Sequence, residues 1–237
     1  MNVFDIGIIL IFVMFFISGF RKGIIKELVA LVGIVVVFII SFSLKGTVGN
    51  LLCTFLPFFK FSGVIEGIST INILMYQMIA FMFVFSTLLG VYAVAMKISK
   101  VLQKLVNFTI VLILPSKLLG ALVSFVKGYI VLFAVFLVLM IPLKNQNVFR
   151  NSKLVNNIIY KTPILSKSTS NFTNSIEEVY DLASKVSNKE ISTNEANLET
   201  LDIMLKYDIV TKDTIETLIK LKKLDNINNI DKILNKY

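Results

Sequence analysis

Four apolar runs, each close to the length a helix needs to cross a lipid hydrocarbon core, lie within the first 143 residues of this chain. A helix rises about 1.5 Å per residue and the core is about 30 Å thick, so about 20 consecutive apolar residues suffice. The runs are Val3 to Phe20, Ile24 to Leu44, Ile71 to Met96 and Leu118 to Ile141, the last stopped by Pro142 and the polar Lys144-Asn145-Gln146-Asn147. The expected fold class is therefore all-α: a polytopic membrane protein with four transmembrane helices and a small helical extramembrane C-terminal region. The first run opens on Asp5 instead of a basic segment and has no small-x-small site before its basic flank, which fits a cleaved signal peptide poorly.

An apolar fraction of 56% and a mean hydropathy of +0.81 exceed what a soluble domain of 237 residues carries. The excess is confined to one part. Residues 1–143 hold all 11 glycines and only three acids (Asp5, Glu27, Glu66), whereas residues 144–237 hold no glycine and 12 of the 15 acids. This divides the chain into a membrane domain (1–143), a linker (144–175) rich in Asn, Ser, Thr and Lys, and a helical tail (176–237). In the tail Ile176, Val179, Tyr180, Ala183 and Val186 line one stripe, and Leu198, Leu201, Met204 and Leu205 another. Thr211 reads as the N-cap of a third helix, with Ile215, Leu218, Ile219 and Leu221 to bury, and Ile227, Ile230, Ile233 and Leu234 make a fourth. Such a tail reads either as a protein-docking module or as a solvated appendage.

The net charge of +9 is carried mainly by the membrane domain, which holds +7 of it. There the basic surplus reads as topology signal and attraction to anionic headgroups. The first connection has Arg21, Lys22 and Lys26 and the third has Lys97, Lys100, Lys104 and Lys117, against Lys45 and Lys60 in the second. That bias puts the first and third connections in the cytoplasm and both chain ends outside. Lys144, Arg150, Lys153 and Lys161 pull the other way, so an arrangement with both ends inside is the alternative. Residues 97–110 place Ile98, Val101, Leu102, Leu105 and Val106 opposite Lys97, Lys100 and Lys104, the pattern of a helix lying in the headgroup plane. Leu51 to Phe61, apolar but broken by Pro57, reads as a re-entrant or interface-buried loop.

Charges within the runs are few and therefore informative. Gly23, Glu27 and Ala30 share a face of the second helix, so Glu27 should face protein. Gly120, Ser124 and Gly128 recur at four-residue intervals in the fourth, a stripe that lets helices approach closely; plain packing is its first reading and a moving interface its second. Lys127, about ten positions into an apolar helix, needs either a partner or a route to the headgroups. In the outside-ends topology both Lys127 and Glu27 lean toward the cytoplasmic end, so an interhelical ion pair is one reading and an unaided snorkelling lysine the other. Asp5 sits at the far end of the first helix, roughly 20 Å from Glu27 along the membrane normal, which excludes a two-carboxylate site within one subunit. Alone, Asp5 reads as a helix N-terminal charge.

Histidine is absent and Cys53 is the one cysteine. Serine–histidine catalysis and His-containing zinc sites are thereby excluded, no disulfide can form within the chain, and no catalytic group, metal or cofactor is assigned. Nucleic acid is an unsuitable partner, because the tail charges are mixed in sign and lack a basic face with aromatic platforms.

The series Asp5, Gly19-Phe20-Arg21-Lys22-Gly23, Glu27, then Ser116-Lys117-Leu118-Leu119-Gly120 and Lys127-Gly128 resembles the colicin V production family of bacterial membrane proteins over roughly residues 1–143. Ser124 stands where that family's pattern has a middle glycine, a small-for-small change. The resemblance implies a four-helix inner-membrane protein associated with toxin production and envelope maintenance. Some members of that family fuse a similar membrane domain to an extracytoplasmic serine protease; a tail without histidine cannot house such a triad. The function expected is a membrane scaffold with membrane or extracytoplasmic protein partners and no chemistry of its own, as a single chain or a homo-oligomer in the bilayer. A small oligomeric channel or transporter is the alternative.

Overall fold

The computed structural model describes residues 2–103, 113–224 and 227–237. Its regular elements are helical: α1 (Val3–Lys22), α2 (Ile24–Phe55), α3 (Ile71–Gln103), α4 (Ile113–Leu143), α5 (Asn147–Arg150), α6 (Lys153–Lys161), α7 (Leu165–Ser168), α8 (Ser170–Ser187), α9 (Thr193–Lys206), α10 (Lys212–Lys220) and α11 (Ile230–Leu234), with one 3-10 turn at Gly63–Ile65. Four of them, α1 to α4, are long and apolar enough to cross a membrane. The chain folds as two compact units, one of residues 1–43 and 82–162, the other of residues 44–81 and 163–237.

In the first unit α4 is the central element. Half of its apolar window is buried, against about a fifth in α1 to α3, so α4 carries the helix contacts while its neighbours turn most of their surface to lipid. Phe12 of α1 stacks on Phe125 of α4 with centroids 4.5 Å apart, and Phe4 meets Phe136 and Phe149 edge-on or tilted. Phe38 of α2 meets Phe133 of α4 at 5.7 Å. Tyr92 of α3 lies over Gly33 of α2, its hydroxyl donating to the Val29 carbonyl at 3.1 Å. Pro142 sits inside the last turn of α4, where the helix continues to Leu143 instead of stopping at Ile141.

The segment expected as a linker is folded. Its Asn147–Arg150 and Lys153–Lys161 stretches are α5 and α6, which belong to the first unit and bury Phe149, Val155, Ile158 and Ile159. The cause is local. Ser152 caps α6 by accepting the Val155 amide at 3.1 Å, and the apolar residues that follow fall on one helical stripe. The polar composition of the segment concealed this stripe.

In the second unit the tail helices fold against the end of α2, the start of α3 and the chain between them. The run beginning at Ile71 is accordingly apolar for two reasons. Ile71–Phe81 is core: Ile71, Ile73, Leu74, Tyr76, Ala80 and Phe81 are buried together with Phe172, Ile176 and Leu201 of the tail. From Met82 onward the same helix exposes Phe83, Val91 and Val94, as a lipid-facing helix does. At roughly 50 Å, α3 outruns a core of about 30 Å, as does α2. The start of the expected headgroup-plane helix, up to Gln103, continues α3, and the remaining residues, 104–110, lie outside the described residues.

Leu51–Phe61, expected as a re-entrant or interface loop, is helix as far as Phe55 and then pinned to α3. Asn72 accepts the Phe59 amide at 2.7 Å and donates to the Phe59 carbonyl at 3.1 Å, while the Tyr76 hydroxyl donates to the Pro57 carbonyl. Two tail residues hold the same region. The Lys223 ammonium donates to the carbonyls of Cys53, Thr54 and Leu56 and so caps the end of α2. Burial pushes its pKa below the usual lysine value. The Asn197 amide oxygen accepts the Thr70 amide at 3.1 Å and the Thr70 hydroxyl at 2.9 Å, and its nitrogen donates to the Gly67 carbonyl at 3.0 Å. Tyr180, deep in the tail core, has its phenol pushed up to about 12 by burial.

Because the tail lacks glycine, its helix ends are made with other residues in the left-handed region. Lys189, Asp208 and Lys222 have φ of 61°, 54° and 59° immediately after α8, α9 and α10. In each the next amide reaches back a full turn, Glu190 to Lys185, Ile209 to Met204 and Lys223 to Leu218, which is the Schellman pattern.

Removal of the trans caps should loosen the second unit without unfolding the first. Asn197→Ala leaves the Thr70 amide and hydroxyl without their acceptor, a cost of about 1–3 kcal/mol. Hydrogen exchange should quicken at residues 67–81 and across α9 and leave α1 and α4 unchanged. Unchanged exchange at residues 67–81 would contradict the capping role.

Candidate functional site: a buried charge pair beside a glycine contact

Gly23 ends α1 with φ of +77°, a conformation that strains any residue bearing a Cβ, and the chain re-enters helix at Ile24. The break is one residue long. Of the expected turn Gly19-Phe20-Arg21-Lys22-Gly23, only Gly23 is non-helical; Gly19 lies within α1 and is buried. Its role is contact. A Cβ on Gly19 would overlap Ser124 and the Gly120 backbone, and one on Gly120 would overlap Gly19 and Gly23. One on Gly128 would overlap the Phe15 ring. The α4 stripe Gly120-Ser124-Gly128 thus packs on α1, and its counterpart Gly19-x-x-x-Gly23 hides in the sequence as part of a turn. The i, i+4 spacing of those two glycines is the signal that could have revealed it.

Backbones this close bring the flanking charges together. Glu27, in the first turn of α2, is 1% exposed and Lys127 of α4 is 7% exposed, and the Lys127 ammonium donates directly to Glu27 Oε2. The second oxygen, Oε1, has no hydrogen bond but lies 3.6 Å from the Lys22 ammonium. Lys22 is half exposed, so solvent screens this second pair and Lys127 is the stronger partner. The Phe15 ring lies 5.7 Å from Lys127 Nζ. Ser116 accepts the first amide of α2, Ile24, at 3.4 Å. The Ser124 hydroxyl is buried without a hydrogen-bond partner, which marks the residue as chosen for size.

Asp5 belongs to a separate cluster. Asn2 accepts its amide at 3.1 Å and donates its own amide to Asp5 Oδ2 at 3.1 Å, a reciprocal capping box at the start of α1. The remaining oxygen, Oδ1, accepts the Ser152 hydroxyl and, at 3.3 Å, the Leu154 amide. One carboxylate therefore serves the N-termini of both α1 and α6, a favourable place for negative charge. Asn2 also donates to the Val148 carbonyl at 2.6 Å. The part played by Ser152 was not read from the sequence, where the segment passed for linker. Arg21 and Lys22 are exposed around the α1–α2 junction, and the half-buried Lys117 lies 5.9 Å from the Phe20 ring centroid. Among the described residues no group of three or more His, Cys, Asp or Glu side chains could hold a metal ion.

Chemically the first cluster is a neutralised charge in a tight helix contact. Glu27→Gln and Lys127→Met should each destabilise the protein by about 1–5 kcal/mol, because each leaves an uncompensated buried charge. The double variant should recover part of that loss in thermal unfolding measured in detergent, and strictly additive effects would show that the pair is uncoupled. At the glycine contact, Gly19→Ala or Gly120→Leu should abolish accumulation or sharply lower thermal stability. Ser124→Ala, which keeps the Cβ and removes the orphaned hydroxyl, should be neutral or stabilising, and Val126→Leu on the exposed face should be tolerated.

Residues 4–163 match the family model described as colicin V production protein. The matched region passes beyond α4 and ends one residue past Thr162, the last residue of the first unit, so α5 and α6 fall inside it. No curated relative and no solved structure matches the chain significantly. The family match covers well over half of the sequence, and with four membrane-spanning helices in place the chain belongs to the colicin V production protein family.

Proposed function

We propose that the protein is a non-enzymatic membrane scaffold of the bacterial inner membrane, which organises protein partners in toxin production or envelope maintenance. The observation that carries this reading is how the internal polar groups are used. Glu27 and Lys127 join α2 to α4, Asp5 joins α1 to α6, and Asn197 and Lys223 cap helix ends in the second unit. Each group holds helices together, and Asp5, which also lines an open pocket with Ile9, Lys153 and Asn157, has both carboxylate oxygens occupied by bonds at helix N-termini. The glycine contact between α1 and α4 is closed at backbone distance, which also weighs against a conducting path between these two helices. The folded state of the tail narrows how it would bind. Its apolar stripes are mostly buried within its own unit, although Leu221, expected to be buried, is exposed just beyond the end of α10, so partners meet an already folded surface and not an unpaired amphipathic helix.

Both chain ends lie outside in this reading, on the strength of the Lys/Arg bias across the connections. Contacts within the units support a common side for paired segments: Asn2 and Asp5 sit against residues 148–154, and residues 67–70 against Asn197.

Crosslinking in native membranes followed by affinity capture should yield a reproducible set of membrane or extracytoplasmic proteins. Purified protein in liposomes should leave ion and small-solute permeability at the background level; solute flux by the protein alone would replace the scaffold with the channel. Reporter fusions after Lys144 and Tyr237 should both report from outside, and cytoplasmic signals from both would reverse the orientation.

A further inference from the structure

Three helix ends meet at one place in the first unit: the end of α1, the start of α2 and the first turns of α4. Ser116 bonds Ile24, Gly120 lies on Gly23, and Lys117 lies over Phe20, so the α4 end is fixed against the junction. Arg21, Lys22 and Lys26 are exposed on it. The acid at this junction, Glu27, is buried and held by Lys127 and Lys22. Arg21, Lys26 and Lys117 therefore form a cationic surface with no carboxylate partner among the described ion pairs. Around it Phe20, Ile25, Leu118 and Leu119 expose large apolar side chains. In a membrane-spanning unit such side chains face hydrocarbon, so the cations stand at its edge, at the depth of lipid phosphates.

We propose that this junction binds the headgroup of an anionic phospholipid, with Arg21, Lys26 and Lys117 contacting the phosphate and the exposed apolar residues lying along the acyl chains. Arginine offers a planar fork that meets phosphate with two bonds, and the lysines add point charges. A zwitterionic lipid brings its own ammonium to the same surface and loses most of the gain. A soluble anion matches the cations but leaves the apolar flank without a partner. The site serves whichever leaflet the junction faces, and so does not depend on the orientation proposed above.

The test uses the full-length protein purified in detergent and offered equimolar phosphatidylglycerol and phosphatidylcholine of identical chains, with retained lipid counted by native mass spectrometry. The wild type should retain phosphatidylglycerol preferentially, and each cation removed should cost about fivefold. Arg21→Gln, Lys26→Gln and Lys117→Gln combined should abolish the preference, whereas three tail changes of equal charge, Lys185→Gln, Lys189→Gln and Lys232→Gln, should leave it intact. Glycerol phosphate in excess should fail to displace the lipid; displacement would identify a free phosphate site instead. Equal retention of the two lipids by the wild type, or a preference that survives in the triple variant, overturns the proposal. If the triple variant does not fold, Lys26→Gln alone decides, because its side chain is exposed and makes none of the contacts that fix α4 against the junction.

Discussion

The close approach of α1 and α4 at Gly19 and Gly120 sets the geometry of the first unit. Hydrocarbon gives helices no hydrophobic reason to associate, so contact must come from packing and polar bonds. Absent side chains allow backbone to meet backbone, and that contact holds Lys127 where it can reach Glu27 across the short break at Gly23. A larger residue at either glycine would move α4 outward and separate the charges. The ion pair is thus a consequence of the glycine contact, and it adds specificity more than net stability, since burying both charges costs much of what their attraction returns.

Apolar sequence in this chain answers to two solvents, and the third run shows the difference. Ile71–Phe81 is buried in the second unit and Met82 onward exposes large apolar side chains, yet one continuous apolar span covers both. Exposure separates them where composition does not. The tail shows the converse: its stripes look unpartnered in sequence because they pack on one another, α8 on α9 and α9 on α11, and on the distant Gly63–Ile65 turn.

The features legible in the sequence were those written in local pattern. The four helices, the facing of Glu27 toward protein, the small-residue stripe on α4 and the N-cap at Thr211 each follow from spacing within a few residues, and the Thr211 hydroxyl does accept the Thr214 amide at 3.3 Å. Residues whose role is defined by a distant partner were not legible. Gly19 reads as a turn residue and Ser152 as linker, and Asn197 and Lys223 carry no signal in the sequence, because nothing beside them in the chain names what they bond. The tail concealed its helix ends as well, using Lys189, Asp208 and Lys222 where glycine usually signals a stop.

Those left-handed caps carry a cost that bears on how the tail holds its shape. Each non-glycine residue in that conformation is unfavourable by about 1 kcal/mol or more, and it persists only where surrounding contacts determine it. After α10 such contacts are evident: Lys222 turns the chain so that Lys223 meets three carbonyls at the end of α2, and Leu224 beyond it is buried. The turn and the cap then depend on each other, since without the α2 carbonyls the Lys223 ammonium would have no reason to leave water, and without the left-handed residue it could not be aimed at them. A helix end is thereby determined by a bond to another helix, which is why a tail without glycine can still fold to defined ends.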